Sequence, residues 1–205
     1  MKYLPLTLCI LFIIVYSATN TNMMTSSNNN TVNNISFFAW NTRANLSVSK
    51  PFIDKNAYGC DFICLSDHGL FECEKHKLLD FYSDYECLPK FSKHLKNIDF
   101  NTKKGVGGCA LLWKKSLDNC IRPLPEKGSD RICVVHVTIN RCNYFVIGVY
   151  LPHQTCKIDD FKLELSILHD LLIEFNSLGS ILLMGDTNCH FDMSYSPRSF
   201  GNTTW

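Results

Sequence analysis

The stretch that decides how this chain is read is ILLMGDTNCHFD, residues 181–192. Four apolar residues run directly into Gly-Asp-Thr-Asn. The apolar run reads as a buried strand, and it ends on polar groups. Side chains at i and i+2 of a strand point to the same side. Asp186 and Asn188 are therefore expected to stand together at the margin of a core. Gly185 leaves room there for a close approach.

Working outward, other apolar runs also end on polar residues. ISFFAW (35–40) is an apolar, aromatic strand signal that ends on Asn41. CDFICLS (60–66) is a second buried strand, followed by Asp67 and His68. VGGCALLW (106–113) is a third, and its glycines read as a tight turn into the strand rather than a phosphate cradle, because no helix N-terminus follows. RICVVHVTIN (131–140) and NYFVIGVY (143–150) flank Arg141-Cys142 and form a hairpin by length. The second of these ends on Tyr150, two residues before Pro152. Between the strands, Pro51 to Tyr58 is expected to be a helix with Pro51 in its first turn and Gly59 as its stop. EKHKLLDFY (74–82) has helical spacing, and Phe161, Leu165, Leu168, Leu172 and Phe175 fall on one face of a helix. There are no internal repeats. Strand ends carrying Asn41, Asp67, Tyr150, Asp186 and Asn188 would meet at one rim of an α/β domain, where such proteins keep their chemistry.

The 205 residues suffice for one α/β domain with a real core. The net charge of +1 neither excludes nucleic acid nor advertises it. Lys90, Lys93, Lys96, Lys103, Lys104, Lys114 and Lys115 cluster in sequence, and the plainer account is a solvated edge. The cysteines number 11, with no C-x-x-C among them and no zinc-ligand spacing. Cys64, Cys109 and Cys133 sit in apolar runs, where a thiol acts as a small hydrophobe. A disulfide framework requires export. Residues 1–18 have the shape of a cleavable signal peptide, with an uncleaved membrane anchor as the alternative. Residues 19–34 are rich in Asn, Thr and Ser and read as a disordered linker. Asn29, Asn34, Asn45 and Asn202 lie in N-x-S/T sequons. The folded part begins near Ile35. His68 and His153 are expected at the rim or surface rather than as catalysts, and His136 and His169 carry no functional signal.

The order of motifs resembles the endonuclease/exonuclease/phosphatase superfamily, the DNase I-like proteins. FFAWNTR is similar to its opening W-N motif, DFICLSDHGL to its D-I-(I/L)-C-L-Q-E motif, GVGGCALLWKK to its Gly-Gly strand, VIGVYLPHQ to its V-Y-x-P strand and LLMGDTN to its G-D-x-N motif. The D-H-G-L wording is nearest to the endonuclease domains of non-LTR retrotransposons. The resemblance runs from about Ile35 to Phe191. It implies a four-layer α/β sandwich over residues 35–205, incomplete at its C-terminus, and metal-dependent hydrolysis of phosphodiesters with DNA as the ancestral substrate. Mg²⁺ or Mn²⁺ is the implied cofactor, with no organic cofactor. Asp67 stands where the family has its metal-binding glutamate, and Asn41 at the asparagine that helps hold metal and phosphate. Tyr150 matches the tyrosine that hydrogen-bonds the scissile phosphate, Asp186 the aspartate that orients or deprotonates the attacking water, and Asn188 the asparagine that steadies the transition state.

Such a set of oxygen donors suits a hard cation without thiols. Three departures bear on activity. Asp67 is one methylene shorter than glutamate, leaving its carboxylate about 1.3–1.5 Å short of the usual position. Ser66 replaces the usual glutamine, and His153 stands where an asparagine is often found. The family's closing S-D-H motif does not occur after Asp186 in these 205 residues, so weak or absent catalysis is expected of them. A secreted nuclease or phosphodiesterase of the same superfamily and a non-catalytic remnant or binding protein remain the alternatives. Export follows if residues 1–18 act as a signal, and a nuclear location if the chain works as a retrotransposon-type endonuclease.

Overall fold

The computed structural model describes residues 14–16, 35–91, 105, 107–153 and 157–188. The rest of the leader, the linker 19–34, Lys93, Lys96, Lys103, Lys104 and the sequons at Asn29, Asn34 and Asn202 lie outside the described residues.

Two sheets carry the fold. In the four-stranded sheet, β2 (Phe37–Asn41) runs parallel to β3 (Phe62–Ser66), β3 antiparallel to β5 (Cys109–Lys114), and β5 antiparallel to β4 (Tyr85–Lys90). In the five-stranded sheet, β6 (Ile121–Pro123), β7 (Ile132–Ile139) and β8 (Cys142–Tyr150) are antiparallel neighbours. There β9 (Ser180–Asp186) runs parallel to β8, and β1 (Ile14–Tyr16) pairs antiparallel with β9 on its outer side. The parallel β8–β9 pair needs a crossover, and α3 (Ile158–Asn176) supplies it. Two shorter elements, α1 (Leu46–Asn56) and α2 (His76–Leu79), lie on the four-stranded sheet.

Alternation along the strands sorts their side chains into three apolar layers. Cys109, Leu111 and Trp113 of β5 face Cys133, Val135 and Val137 of β7 between the sheets. The residues between them, Ala110 and Leu112, turn outward to Ile53 of α1 and Leu78 of α2. On the other sheet, Ile132 and Val134 turn outward to Leu168, Leu171 and Phe175 of α3. The order is helix, sheet, sheet, helix, a four-layer α/β sandwich. Fully buried Ile53, Leu65, Leu111, Leu112, Ile132 and Ile147 each contribute on the order of 1.5–3 kcal/mol of burial. Among the described residues no helix is long and apolar enough to cross a membrane.

Three local expectations are corrected. The first helix begins at Leu46, so Pro51 lies inside it rather than in its first turn. Leu46 and Ile53, one on each side of Pro51, are buried and fix the helix to the sheet, while Pro51 itself faces solvent. The hairpin turn is Asn140-Arg141, both with positive φ (51° and 66°), as a two-residue turn of this kind requires, and Cys142 already belongs to β8. The buried face of α3 is rotated: Leu168 and Phe175 are buried as expected, but Leu165 is exposed, and Glu164 and Leu171 are buried instead.

Candidate active site

The paired ends of β8 and β9 place the first half of the site. Their register sets Tyr150 opposite Asp186. Gly185, at φ 125°, permits this, because a Cβ there would lie 2.1 Å from the Val149 carbonyl oxygen. The close approach foreseen at Gly185 is therefore made by the backbone of β8. Asn188 does not continue the strand beside Asp186. It turns into the left-handed region (φ 49°), its N–H donates to Asp186 Oδ1 at 2.9 Å, and its Nδ2 donates to the Leu151 carbonyl at 2.7 Å. The two residues do stand together, but through an Asx turn rather than through strand alternation.

The second half comes from the other sheet. Asn41 ends β2, and its Nδ2 donates to Asp186 Oδ2 at 2.6 Å across 145 residues of sequence. Its Oδ1 accepts the Arg43 N–H at 2.8 Å. Asp67 lies one residue beyond β3 at φ 51°. Its Oδ1 accepts the Gly107 N–H at 3.1 Å, and its carboxylate also accepts the Tyr150 hydroxyl. Hydrogen bonds thus link Asn41, Asp186 and Asn188, and the Asp67–Tyr150 pair meets them at the same rim through the register of Tyr150 with Asp186.

The electrostatics follow from burial and from two carboxylates sharing the rim. Burial, aided by repulsion from Asp186, pushes the Asp67 carboxyl above its ordinary value, against the pull of Gly107, Tyr150 and Arg131. Burial and the neighbouring Asp67 push the Tyr150 hydroxyl up to about 12, so it is a donor at neutral pH. Carboxylate and amide oxygens are the donor chemistry that suits a hard divalent cation, which commonly takes one or two carboxylates and completes its shell with substrate phosphate. Among the described residues no group of three or more His, Cys, Asp or Glu is gathered for a metal.

Arg131 was not singled out in the sequence. Its guanidinium lies 5.1 Å from the Tyr150 ring centre, and its carbonyl accepts the Tyr150 N–H at 2.8 Å. Gly107 makes room for it: a Cβ there would sit 3.1 Å from Nη1. Its attraction reaches Asp67, Tyr150 and the buried Glu164 of α3. A lone arginine at the start of an apolar strand carries no spacing signal; only the β7–β8 register reveals it.

The histidines divide. His68, expected at the rim or surface, is 1% exposed. Its Nε2 is 3.0 Å from the Lys90 carbonyl oxygen, its Nδ1 accepts the Leu70 N–H at 3.2 Å, and its ring packs where a Cβ on Gly108 would stand. Burial pushes it down to about 4, so it is neutral and structural. His136 stacks on Phe145, while His153 and His169 are exposed.

Two facing sheets with helices outside, and polar strand ends gathered at one rim, define a DNase I-like α/β sandwich. Solved structures agree. The endonuclease domain of TRAS1, a telomere-specific non-LTR retrotransposon, aligns with a TM-score of 0.51 at 11% identity over 75% of this chain and 58% of that one. A D. rerio TDP2 complexed with single-strand DNA product aligns at 0.54 with 15% identity over 77% and 62%. The AP endonuclease LMAP from Leishmania major aligns at 0.51 with 12% identity over 72% and 54%. The chain thus spans less than two thirds of the length of each of these structures. No family model and no curated protein sequence matches it. The chain has the fold of the endonuclease/exonuclease/phosphatase superfamily.

Proposed function

We propose that this rim is a phosphodiesterase site whose substrate is DNA. The observation that carries the proposal is the 2.6 Å hydrogen bond from Asn41 to Asp186, which joins the ends of the two sheets beside the Asp67–Tyr150 pair. Cleavage of a phosphodiester needs a positioned water, a proton acceptor for it and donors for the charge that develops on the phosphoryl oxygens. Asp186 is the acceptor: Asn41 and the Asn188 N–H each hold one of its oxygens and aim the carboxylate. Tyr150, kept protonated at neutral pH, donates to a non-bridging oxygen. The Asn188 amide is a second donor, and Arg131 sets a cation beside Tyr150. Asn41 and Asp67 would hold Mg²⁺ or Mn²⁺ through oxygen atoms. Bound there, the ion supplies positive charge against the substrate phosphate.

The test is nicking of supercoiled plasmid in Mg²⁺ over long incubation, with thermal unfolding in the same buffers as a readout independent of rate. Nicking that falls by about 10²-fold or more in Asp186→Ala supports the proposal. So does a Mg²⁺-dependent rise in the unfolding midpoint that disappears in Asp67→Asn. Equal nicking by wild type and Asp186→Ala, or no nicking together with no Mg²⁺ shift, refutes it and favours a non-catalytic remnant.

A further inference from the structure

Three thiols meet in the layer between the sheets, just beneath the rim. Cys64 of β3, Cys109 of β5 and Cys133 of β7 are each 0% exposed. The Cys109 and Cys133 sulfurs are 3.5 Å apart, and those of Cys64 and Cys109 are 3.9 Å apart. We propose that Cys109 and Cys133 are a disulfide-forming pair that pins one sheet to the other when the chain folds in the presence of a small-molecule disulfide oxidant. In that step two S–H bonds break and one S–S bond forms. The two electrons and two protons pass to the oxidant, for example oxidised glutathione, which becomes two reduced thiols.

Geometry chooses this pair over its rival. Cys64 pairs with Leu111 and Cys109 with Ser66 across the β3–β5 ladder, so Cys64 and Cys109 are diagonal neighbours. Diagonal positions lie about 7–8 Å apart along a ladder, beyond the span that a disulfide bridges without moving backbone. Cys109 and Cys133 face each other from different sheets instead. Facing sheets usually stand about 10 Å apart, yet the Cys109 and Cys133 sulfurs come within 3.5 Å of each other across the layer, closer than those of Cys64 and Cys109 at 3.9 Å. The gap is narrow because Gly148, opposite Cys133 on β8, contributes no side chain: a Cβ there would lie 2.9 Å from the Cys133 sulfur and 3.1 Å from that of Cys64. The sulfurs need close by only about 1.5 Å to reach bonding distance.

The same burial sets the timing. Hydrogen bonds to the sulfurs of Cys133 and Cys64, together with burial, hold the Cys109 thiol far above its ordinary range. The thiolate that must attack the oxidant is therefore scarce in the folded state, and the bond forms during folding.

The test folds the denatured full chain in a glutathione redox buffer, alkylates free thiols in denaturant and maps linked peptides without reductant. The expected result is a Cys109–Cys133 linked peptide that reductant abolishes, Cys64 alkylated, and a urea midpoint above that of the reduced protein. In Cys109→Ala, Cys133 should then be alkylated. Cys109 and Cys133 both recovered as free thiols, either of them linked to another cysteine, or an unchanged midpoint would overturn the proposal. Because no rim residue is altered, failure here leaves the phosphodiesterase proposal standing, and loss of nicking leaves this one standing.

Discussion

The hydrogen bond from Asn41 to Asp186 can be measured as a free energy. Its donor ends a strand of the four-stranded sheet and its acceptor ends a strand of the five-stranded sheet, at 2.6 Å and partly buried. A hydrogen bond to a charged partner is worth about 1.5–3 kcal/mol, and partial exposure moves this one to the lower end. Asn41→Ala also removes the acceptor of the Arg43 N–H, an exposed bond worth about 0.5–1 kcal/mol. The single substitution should therefore cost about 2 kcal/mol, or about 4–8 °C in midpoint for a domain of this size. Asp186→Ala should cost a similar amount, since it releases the N–H of Asn188 as well. The informative quantity is the coupling. In a double-mutant cycle followed by urea unfolding, the pair should be non-additive by about 1–1.5 kcal/mol, because either substitution alone already breaks the shared bond. Additivity within about 0.3 kcal/mol would mean the two side chains do not meet. The convergence on which the site rests would then be wrong.

Two further outcomes concern pH. His68 is pushed down to about 4 from the usual 6.5, so below pH 6.5 the unfolded chain takes up a proton that the native state refuses. The stability it contributes is present above 6.5 and lost as pH falls toward 4, by up to about 3 kcal/mol; urea midpoints of wild type should drop more steeply over that window than those of His68→Gln, and equal slopes would refute its burial. Asp67 has the opposite sign: its carboxyl is raised, so its contribution is full below the unfolded value and is lost as pH rises through the folded one. At pH 7 Asp67→Asn, which retains an acceptor for the Gly107 N–H, should unfold at or above the wild-type midpoint, and a fall of more than about 1 kcal/mol would show that the charge is a net support.

What the sequence revealed and what it hid have physical causes. The strands around Cys64, Leu111, Val134 and Ile147 are buried on both faces, so they appear as continuous apolar runs with polar ends. That is why the two-sheet architecture and the rim residues could be read. β4 was missed because YECLPK carries charges and a proline, which are tolerated there because it is an edge strand. The buried face of α3 was misplaced because Leu163, Leu165 and Ile173 are apolar yet exposed, which blurs the helical period. The turn at Asn188 was missed because strand alternation assumes extended backbone, and one left-handed residue cancels it.

Asp67 shows why a missing methylene is a poor guide to where a carboxylate ends up. The 1.3–1.5 Å shortfall, about one bond length, assumes that aspartate and glutamate leave the same extended strand. Asp67 instead sits past the end of β3 in the left-handed region, which aspartate tolerates better than most residues. Four bonds hold it there. Its N–H donates to the Gly108 carbonyl at 2.8 Å, and its own carbonyl accepts the Ala44 N–H and the Thr42 hydroxyl, both at 2.7 Å. The fourth is the Gly107 N–H on its Oδ1. A backbone conformation costing about 1–3 kcal/mol persists only where the surroundings over-determine it, and these bonds, at about 0.5–1.5 kcal/mol each, are enough to do so. The reorientation carries the short side chain to the Tyr150 hydroxyl, and Tyr150 is in register with Asp186 on the other sheet. Reach at this position is set by φ at Asp67 and the glycine that bonds its carboxylate as well as by side-chain length, so the missing methylene does not by itself decide where the carboxylate lies.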